Sequence, residues 1–194
     1  DIGGFGRAGN EARECVLATG SIERPLVFGN NDRPGVMLAG AVRSYVNRYG
    51  TLPGQRAVVF TDNDDAWTTA NALLAAGAEV AAVVDSRPGD VIRRLAAQVP
   101  GVPAIAGEIV TVRGRHGVQA VEVAAHDGGR HRIACDLVAM SGGWSPTLHL
   151  TSHRGHKPRW NEALAAFVPA GKFKSYNLGR AKANVETIYK ELGK

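Results

Sequence analysis

The sequence predicts an α/β fold in which a parallel sheet with helices on both faces is joined to a three-stranded antiparallel β-meander. Apolar strands without alternation, such as Arg56–Phe60 and Glu79–Val84, are typical of a parallel sheet that is covered on both faces. The alanine- and leucine-rich stretch Ala66–Ala76 lies between them and has the length of a crossover helix. Alternating apolar and polar residues from Ala106 to Ala134 predict the meander.

Shorter elements are predicted before these strands. Residues 1–10 are rich in glycine and show no periodicity, which favours a loop, a tag remnant or a cut edge. The apolar run Cys15–Ala18 predicts a buried strand that ends in a tight turn. A helix is predicted over Leu38–Tyr49, and Gly50 follows where a helix C-terminal glycine belongs.

The central strand, helix and strand form a βαβ unit, whose crossover is right-handed almost without exception. This unit makes the predicted sheet Rossmann-like. A further helix is predicted from Asp90 to about Gln98, because Val99-Pro100-Gly101 favours a turn.

The chain then changes to short alternating segments. The predicted meander strands are Glu108–Arg113, Val118–Ala125 and His131–Ala134. Cys135–Met140 is mainly apolar again and predicts a return to the buried sheet. In the tail Leu178–Leu192, apolar residues recur near helical spacing, which predicts a terminal helix.

The composition is that of a soluble globular protein, with 44% hydrophobic and 21% charged residues. We expect a cytoplasmic protein that binds no membrane, since no apolar run approaches about 18 residues and no basic-then-apolar leader opens the sequence. Cys15 and Cys135 are interpreted as small core residues. The net charge of +5 does not indicate nucleic-acid binding, because the basic residues are not interleaved with aromatic ones.

Three short segments resemble a known family. They are Ala18–Pro25 (ATGSIERP), Asn30–Met37 (NNDRPGVM) and Ser141–Pro146 (SGGWSP). The order of elements resembles the nucleotide-binding insertion of the two-dinucleotide-domain flavoproteins, and the three segments resemble the alpha subunit of heterotetrameric sarcosine oxidase. The resemblance covers roughly residues 14–169, and nothing is transferred to residues 1–10 or to the tail.

The resemblance implies three parts. Residues 1–20 are interpreted as a partial strand and a crossover from a parent domain. Residues 21–140 are interpreted as an NAD(P)-binding-type α/β domain with its meander. Residues 141–194 are interpreted as the return crossover, a basic loop and the terminal helix.

The resemblance also implies an activity, carried by a larger complex. This complex would oxidatively demethylate sarcosine to glycine, with hydrogen peroxide and a one-carbon unit for tetrahydrofolate as the other products. NAD is expected on the parent subunit, FAD and FMN in the parent complex, and beta-, gamma- and delta-type subunits as partners, with tetrahydrofolate bound by an absent domain. Because the amine-oxidising flavin of the family lies on the beta subunit, we expect no catalytic residue, no bound cofactor and no activity in the isolated chain.

Two glycine turns and one arginine are the candidate cofactor contacts. In the flavoproteins that the chain resembles, the two turns are the points where the chain leaves and re-enters the parent domain, beside the nucleotide bound there. The resemblance therefore implies that the two turns lie near each other. The glycines could equally serve only to let the chain cross between domains, and the arginine could bind a phosphate or fix its own loop. The residues assigned to cofactor binding are Thr19, Gly20, Arg33, Ser141, Gly142 and Gly143.

The turn between the central strand and helix argues against a dinucleotide site of its own. A pyrophosphate needs glycines there so that the backbone can approach it closely. Thr61–Asp65 contains no glycine and three carboxylates, which would repel phosphates. Asp85 ends the next strand where a ribose-binding acid belongs, but without those glycines we interpret it as a plain strand-end residue.

Other reactive residues do not form a recognisable site. His149, His153 and His156 are interpreted as part of a solvated basic loop and not as metal ligands, since Gly155 and Pro158 interrupt helical spacing and no carboxylate or cysteine is near. No nucleophile motif is present, and no Cys-X-X-Cys indicates a disulfide reductase.

Two alternatives to sarcosine oxidation stay open. The chain could belong to an opine or proline dehydrogenase, or to a hydrogen cyanide synthase, since subunits of these flavoproteins share parts of the pattern. It could also be a non-catalytic docking domain whose nucleotide site has been lost, which is compatible with either enzyme.

Overall fold

The computed structural model describes residues 14–17, 19–152, 155, 157–162, 165–169, 173–177 and 187–192. The chain divides into two compact units. The sheet unit is Glu23–Trp144, and the terminal unit combines Asp1–Ile22 with Ser145–Lys194. Residues 1–10, for which a loop was predicted, lie outside the described residues.

From Arg56 to Ser141 the strands and helices follow the predicted order. From the N-terminus to the third helix they are β1 (Glu14–Leu17), β2 (Ser21–Glu23), β3 (Val36–Leu38), α1 (Ala39–Tyr49), β4 (Arg56–Thr61), α2 (Asp65–Ala75), β5 (Glu79–Asp85) and α3 (Gly89–Ala96). They continue with β6 (Ala104–Arg113), β7 (Ala120–Ala125), β8 (Arg130–Ala134), β9 (Leu137–Ser141), β10 (Trp144–Pro146), α4 (His149–Ser152), β11 (Arg159–Asn161), β12 (Ala166–Val168), β13 (Phe173–Asn177) and β14 (Thr187–Leu192).

The sheet unit contains a seven-stranded sheet in the order β3-β9-β4-β5-β6-β7-β8. Neighbouring strands from β3 to β6 are parallel, and β6, β7 and β8 form the antiparallel meander. The predicted α/β class with a meander is therefore confirmed. The meander continues the same sheet, because β6 pairs with β5 over Ala104–Ala106 and with β7 from Gly107 onwards.

All three helices of the sheet unit pack on one face, which corrects the expectation of helices on both faces. Trp67, Leu73 and Leu95 form one core cluster with Val59 and Val83 of the sheet. The crossovers β3–α1–β4, β4–α2–β5 and β5–α3–β6 all advance along the sheet in one direction. Right-handed crossovers that advance in one direction place their helices on one face.

The meander covers the opposite face of the sheet. Val58 and Val84, which alternate with the residues of the helical cluster, pack with Val112, Val121 and Val123. The parallel strands are therefore buried on both sides, as their continuous apolar sequence requires. Antiparallel strands take the place of a second helical layer.

The terminal unit corrects the predicted terminal helix. In its described part, Thr187–Leu192 is strand β14, which pairs antiparallel with β1 and with β13. Thr187, Ile188 and Tyr189 are β-branched or aromatic and favour a strand, which outweighs the helical spacing of the apolar residues. Residues 178–186 lie outside the described part of the chain. The predicted strand before the first glycine turn is confirmed as β1.

Two further strand pairs complete the described structure, β2 with β10 and β11 with β12. Among the described residues, no helix has the length and apolar character that crossing a membrane requires. The predicted three-part division at residues 20 and 140 stays a prediction about a parent protein.

Candidate functional site

The carboxyl ends of β4 and β9 meet at one edge of the sheet. Thr61 ends β4 beside Ser141, which ends β9, and both residues are fully buried. The pairing extends one residue further, since Asp62 N donates to Ser141 O at 3.3 Å. Ligands of parallel α/β sheets bind outside the carboxyl ends of the strands, so this edge is the candidate site.

The turn that follows β4 is closed by its own side chains. Asn63 Nδ2 donates to Ser141 Oγ at 3.0 Å and to Ser141 O at 3.1 Å. Asn63 N donates to Thr61 Oγ1 at 3.0 Å, and Asp65 N donates to Asn63 Oδ1 at 3.1 Å. Three amides that a pyrophosphate would need, those of Asp62, Asn63 and Asp65, are therefore already bonded. These contacts support the interpretation that the turn is vestigial.

The turn that follows β9 is held by Arg24. Gly142 N donates to Arg24 O at 2.7 Å, and Arg24 N donates to Gly143 O at 2.8 Å. The guanidinium returns to the same turn, since Arg24 Nε donates to Gly142 O at 2.8 Å. Gly143 has φ 78°, and a Cβ there would lie 2.9 Å from Arg24 Nη2. These glycines admit a second backbone segment, which supports the chain-crossing alternative, while cofactor contact stays a prediction.

Glu23, which the sequence did not single out, is a buried acid beside this turn. Its Oε2 accepts a hydrogen bond from Gly40 N at 2.8 Å, near the start of α1. Its Oε1 has no hydrogen-bond partner among the described residues. Burial raises the pKa of Glu23, and the Ser141 hydroxyl and the Gly40 amide offset only part of that rise. The segment Ser21–Glu23 has one apolar residue and is followed by Arg24, so the sequence offered no signal that Glu23 is buried.

Gly40 is the close contact that fixes this acid. A Cβ on Gly40 would lie 2.7 Å from Glu23 Oε2 and 3.3 Å from Trp144 Cη2. The indole Nε1 of Trp144 is also buried and has no hydrogen-bond partner among the described residues.

The other glycine turn lies in the terminal unit. Thr19 Oγ1 donates to Thr147 O at 2.9 Å, and Thr147 N donates to Gly20 O at 3.0 Å. Gly20 has φ 67°, which a glycine adopts without strain. The hydroxyl of Thr19 is thus engaged within the chain. The predicted proximity of Gly20 and Gly142 stays a prediction, because the two glycines belong to different units.

Arg33 lies at the other edge of the sheet from the β9 turn. It precedes β3, which runs parallel to β9, so it stands at the amino ends of these strands. Its Nη1 donates to Gly114 O and to Arg115 O, in the turn between β6 and β7. The structure does not bring Arg33 together with Ser141–Gly143, and these contacts support the loop-fixing alternative.

Asp85 is buried and fully engaged. Its Oδ2 accepts hydrogen bonds from Trp67 Nε1 at 2.9 Å and from Arg87 Nη2 at 2.7 Å. Its Oδ1 accepts from Arg87 N at 3.0 Å and from Arg87 Nε at 2.9 Å. Burial opposes the charge of Arg87, but the carboxylates of Asp85 and Asp64 outweigh it and raise the pKa of Arg87. A ribose-binding acid must face its ligand, so these contacts support the structural interpretation of Asp85.

The predicted basic loop is only partly described. His149 is exposed in α4, whereas His153 and His156 lie outside the described residues. Within the residues that the structure describes, no three His, Cys, Asp or Glu side chains are grouped as metal ligands would be. The interpretation of these histidines stays a prediction.

The described geometry joins a Rossmann-like sheet to a glycine turn at the carboxyl ends of β4 and β9. No family model matches the chain. It is 44% identical over 198 residues to the alpha subunit of sarcosine oxidase from Rhizobium meliloti (strain 1021), covering 94% of this chain and 20% of that protein. The alpha subunit of sarcosine oxidase from Corynebacterium sp. (strain U-96) is 41% identical over 178 residues, covering 88% of this chain and 18% of that protein.

This chain is homologous to a segment of the sarcosine oxidase alpha subunit. It spans about a fifth of the length of these relatives. An opine oxidase subunit from Rhizobium meliloti (strain 1021) is more distant, at 26% identity over 81% of this chain and 40% of that protein.

Solved structures confirm the fold. L-proline dehydrogenase from P. horikoshii superposes with a TM-score of 0.55 at 20% identity, over 79% of this chain and 25% of that one. Thioredoxin reductase from T. acidophilum superposes with a TM-score of 0.54 at 16% identity, over 73% of this chain and 47% of that one. This chain therefore shares its α/β fold with these two structures.

Proposed function

We propose that this chain is a nucleotide-binding-type segment of a sarcosine oxidase alpha subunit, and that it acts there as a scaffold. The observation that supports the family is 44% identity over almost the whole chain, compared with 26% for the opine oxidase relative. The parent complex would include beta-, gamma- and delta-type subunits. A cytoplasmic location is part of the proposal, in keeping with Cys135 as a free, buried thiol.

The proposed reaction is the oxidative demethylation of sarcosine. Two electrons and two protons pass from sarcosine to oxygen, which becomes hydrogen peroxide. The methyl carbon leaves glycine and passes to tetrahydrofolate, bound by another domain. The flavins of the complex would supply the electron transfer, and no step is assigned to a residue of this chain.

The scaffold role rests on the turn between β4 and α2. Its amides are bonded to Asn63, Thr61 and Ser141, and a pyrophosphate needs such amides to be free. Two of its three carboxylates, those of Asp64 and Asp65, are paired with Arg87 and Arg43. The residues present therefore do not fit a dinucleotide at this turn. We assign NAD to other parts of the parent polypeptide, and FAD and FMN to the parent complex. A docking function is compatible with this assignment.

Expression of the reading frame that contains this chain, together with its neighbouring genes, tests the proposal. The purified complex should release peroxide with sarcosine as substrate and should not do so with an opine. The isolated 194-residue chain should show no flavin absorbance and no peroxide release. A complex that oxidises only an opine contradicts the substrate, and flavin in the isolated chain contradicts the scaffold role.

A further inference from the structure

Strand β8 is the last strand at one edge of the seven-stranded sheet. It pairs with β7 on one side, and no described strand pairs with its other side. Arg130, His131, Arg132 and Ala134 along this strand are all exposed. An uncovered edge presents unpaired backbone N–H and C=O groups to any segment of suitable chemistry.

The register shows which backbone groups of β8 point outward. Ala125 N donates to Gly129 O at 2.8 Å and Cys135 N donates to Gln119 O at 3.2 Å, so the odd-numbered positions face β7. In an antiparallel pair the intervening residues direct their N–H and C=O away from the partner. Ala134 O is already taken, since it accepts from Arg56 Nε at 2.8 Å. The backbone groups of Arg130 and Arg132 are the ones available to a further strand.

The side chains at these two positions give the edge a charge. Among the described residues, Arg130 and Arg132 form no hydrogen bond and no ion pair. Glu122 on the neighbouring strand is paired with Arg113, at 2.9 Å from Arg113 Nε to Glu122 Oε1. Arg113 lowers the pKa of Glu122, and Arg132 and Arg130 add to that effect. Arg130 and Arg132 therefore share one face of the sheet with the carboxylate of Glu122, which is already paired with Arg113.

We propose that β8 is a docking edge for an extended acidic segment of a partner polypeptide, which adds to the sheet as a further strand. Backbone pairing at Arg130 and Arg132 would give the affinity, and acidic side chains facing the two guanidinium groups would give the specificity. A shallow depression of about 320 Å³ beside Val110 and His131 lies next to these arginines and accommodates an intervening side chain. This proposal goes beyond the scaffold role proposed above.

The charge also selects against a second copy of this chain. Two β8 edges brought together would oppose Arg130 and Arg132 with arginines of the same sign. Charged edge residues protect sheets from such self-pairing. An acidic strand removes this repulsion, so the same side chains exclude one partner and favour the other.

Binding of labelled peptides to the 194-residue chain, measured by fluorescence anisotropy, tests the proposal. The probe is a peptide of about eight residues that alternates glutamate with threonine and valine, long enough for one strand. One control replaces every glutamate with lysine. A second keeps the charge but places proline at alternate positions, which removes the N–H groups that a strand must donate.

The structure predicts salt-sensitive binding of the acidic peptide, at least tenfold weaker for the proline peptide and for the lysine peptide. The double variant R130E/R132E should lose at least tenfold in affinity. The matched variant R48E/R93E changes the same charge at exposed positions of α1 and α3 and should bind normally. Hydrogen exchange should show that the peptide protects the amides of Arg130 and Arg132.

Three results would overturn the proposal. The first is no binding of the acidic peptide at about 1 mM, which corresponds to a binding free energy of about −4 kcal/mol. The second is that the proline peptide binds as tightly as the acidic peptide, which would show that charge alone, without backbone pairing, causes the binding. The third is displacement of the peptide by a single-stranded nucleic acid that binds the R130E/R132E variant less well and protects no β8 amide.

Discussion

Trp67 Nε1 donates a hydrogen bond to Asp85 Oδ2 over 2.9 Å, and both residues lie inside the sheet unit with almost no solvent exposure. The bond ties the first turn of α2 to the end of β5. Arg87 completes the arrangement by holding both oxygens of the same carboxylate from the following loop. At the position where related folds bind a ribose, this chain therefore has a carboxylate that links α2, the end of β5 and the following loop.

Replacing this carboxylate should destabilise the fold. Asp85→Ala leaves Trp67 Nε1 without an acceptor and Arg87 without its buried partner, so we expect the free energy of unfolding to fall by about 3–5 kcal/mol. Asp90→Ala, at an exposed position in the first turn of α3, should cost less than about 1 kcal/mol. Urea unfolding measures both. A similar small loss for the two variants would contradict the structural role of Asp85.

Much of the sheet unit was predictable because its elements carry local signals. The buried parallel strands have continuous apolar sequences, and Gly50 ends α1 with φ 60° as a C-terminal glycine should. The face on which each helix packs was not predictable, since it depends on strand order. β9 lies between β3 and β4, although its paired residues follow those of β3 by about 100 positions and those of β4 by about 80.

The candidate site was only partly predictable for the same reason. The turn at Ser141–Gly143 has a local glycine signal, but the segment that requires those glycines begins at Arg24, 118 positions away along the chain. A polar residue such as Asn63 is ordinary in a turn and does not by itself indicate a contact. Only the pairing of β4 with β9 brings it to Ser141. The prediction of a terminal helix was wrong over Thr187–Leu192. A helical spacing of apolar residues does not reveal whether another strand, here β1, is present to pair with the segment.

Glu23 should make the stability of the sheet unit depend on pH. Burial raises its pKa, so the folded chain holds the proton of this carboxyl more tightly than the unfolded chain. Its contribution is present below about 4.5, the ordinary value, and is lost as the pH rises through the folded-state pKa. Asp65 adds to the raised pKa and Arg43 opposes it.

The variant Glu23→Gln isolates this contribution. Its amide keeps an acceptor for Gly40 N and has no proton to lose, so its stability relative to the original chain should increase between pH 4.5 and pH 8. Urea unfolding at a series of pH values gives this difference directly. Glu108→Gln, which makes the same change at an exposed position of β6, provides the matched control. A constant difference between Glu23→Gln and the original chain would show that Glu23 does not titrate differently on folding.

Cys135 should resist thiol reagents in the folded chain. Burial, together with the charge of Asp136, raises the pKa of Cys135 to about 12, while Arg56 opposes the shift. The thiolate is the reactive species, so modification at pH 8 should be about a thousandfold slower than for a free thiol. A Cys15→Ser variant leaves Cys135 as the single thiol, and its rate with a disulfide reagent should rise on adding urea. Rapid modification without urea would contradict the burial of this side chain.

The final prediction concerns NAD, because the scaffold role depends on it. The fold provides a β4–α2 turn where dinucleotides bind in related sheets, but its amides are engaged by Asn63 and Thr61. A pyrophosphate would have to displace these bonds and then lie beside the carboxylates of Asp62, Asp64 and Asp65. We therefore expect the isolated chain to bind NAD with a dissociation constant weaker than about 10 μM, which corresponds to about −7 kcal/mol.

Calorimetric titration of the 194-residue chain with NAD measures this constant. The double variant Asp62→Asn/Asp64→Asn separates the two physical causes, since it removes charge and leaves the backbone bonds of Asn63 in place. If charge alone excludes NAD, this variant should bind the dinucleotide measurably. If the engaged amides also exclude it, as the hydrogen bonds to Asn63 Oδ1 and Thr61 Oγ1 indicate, the variant should bind as weakly as the original chain. A dissociation constant below about 10 μM for the original chain would show that this segment binds NAD and would contradict the scaffold role.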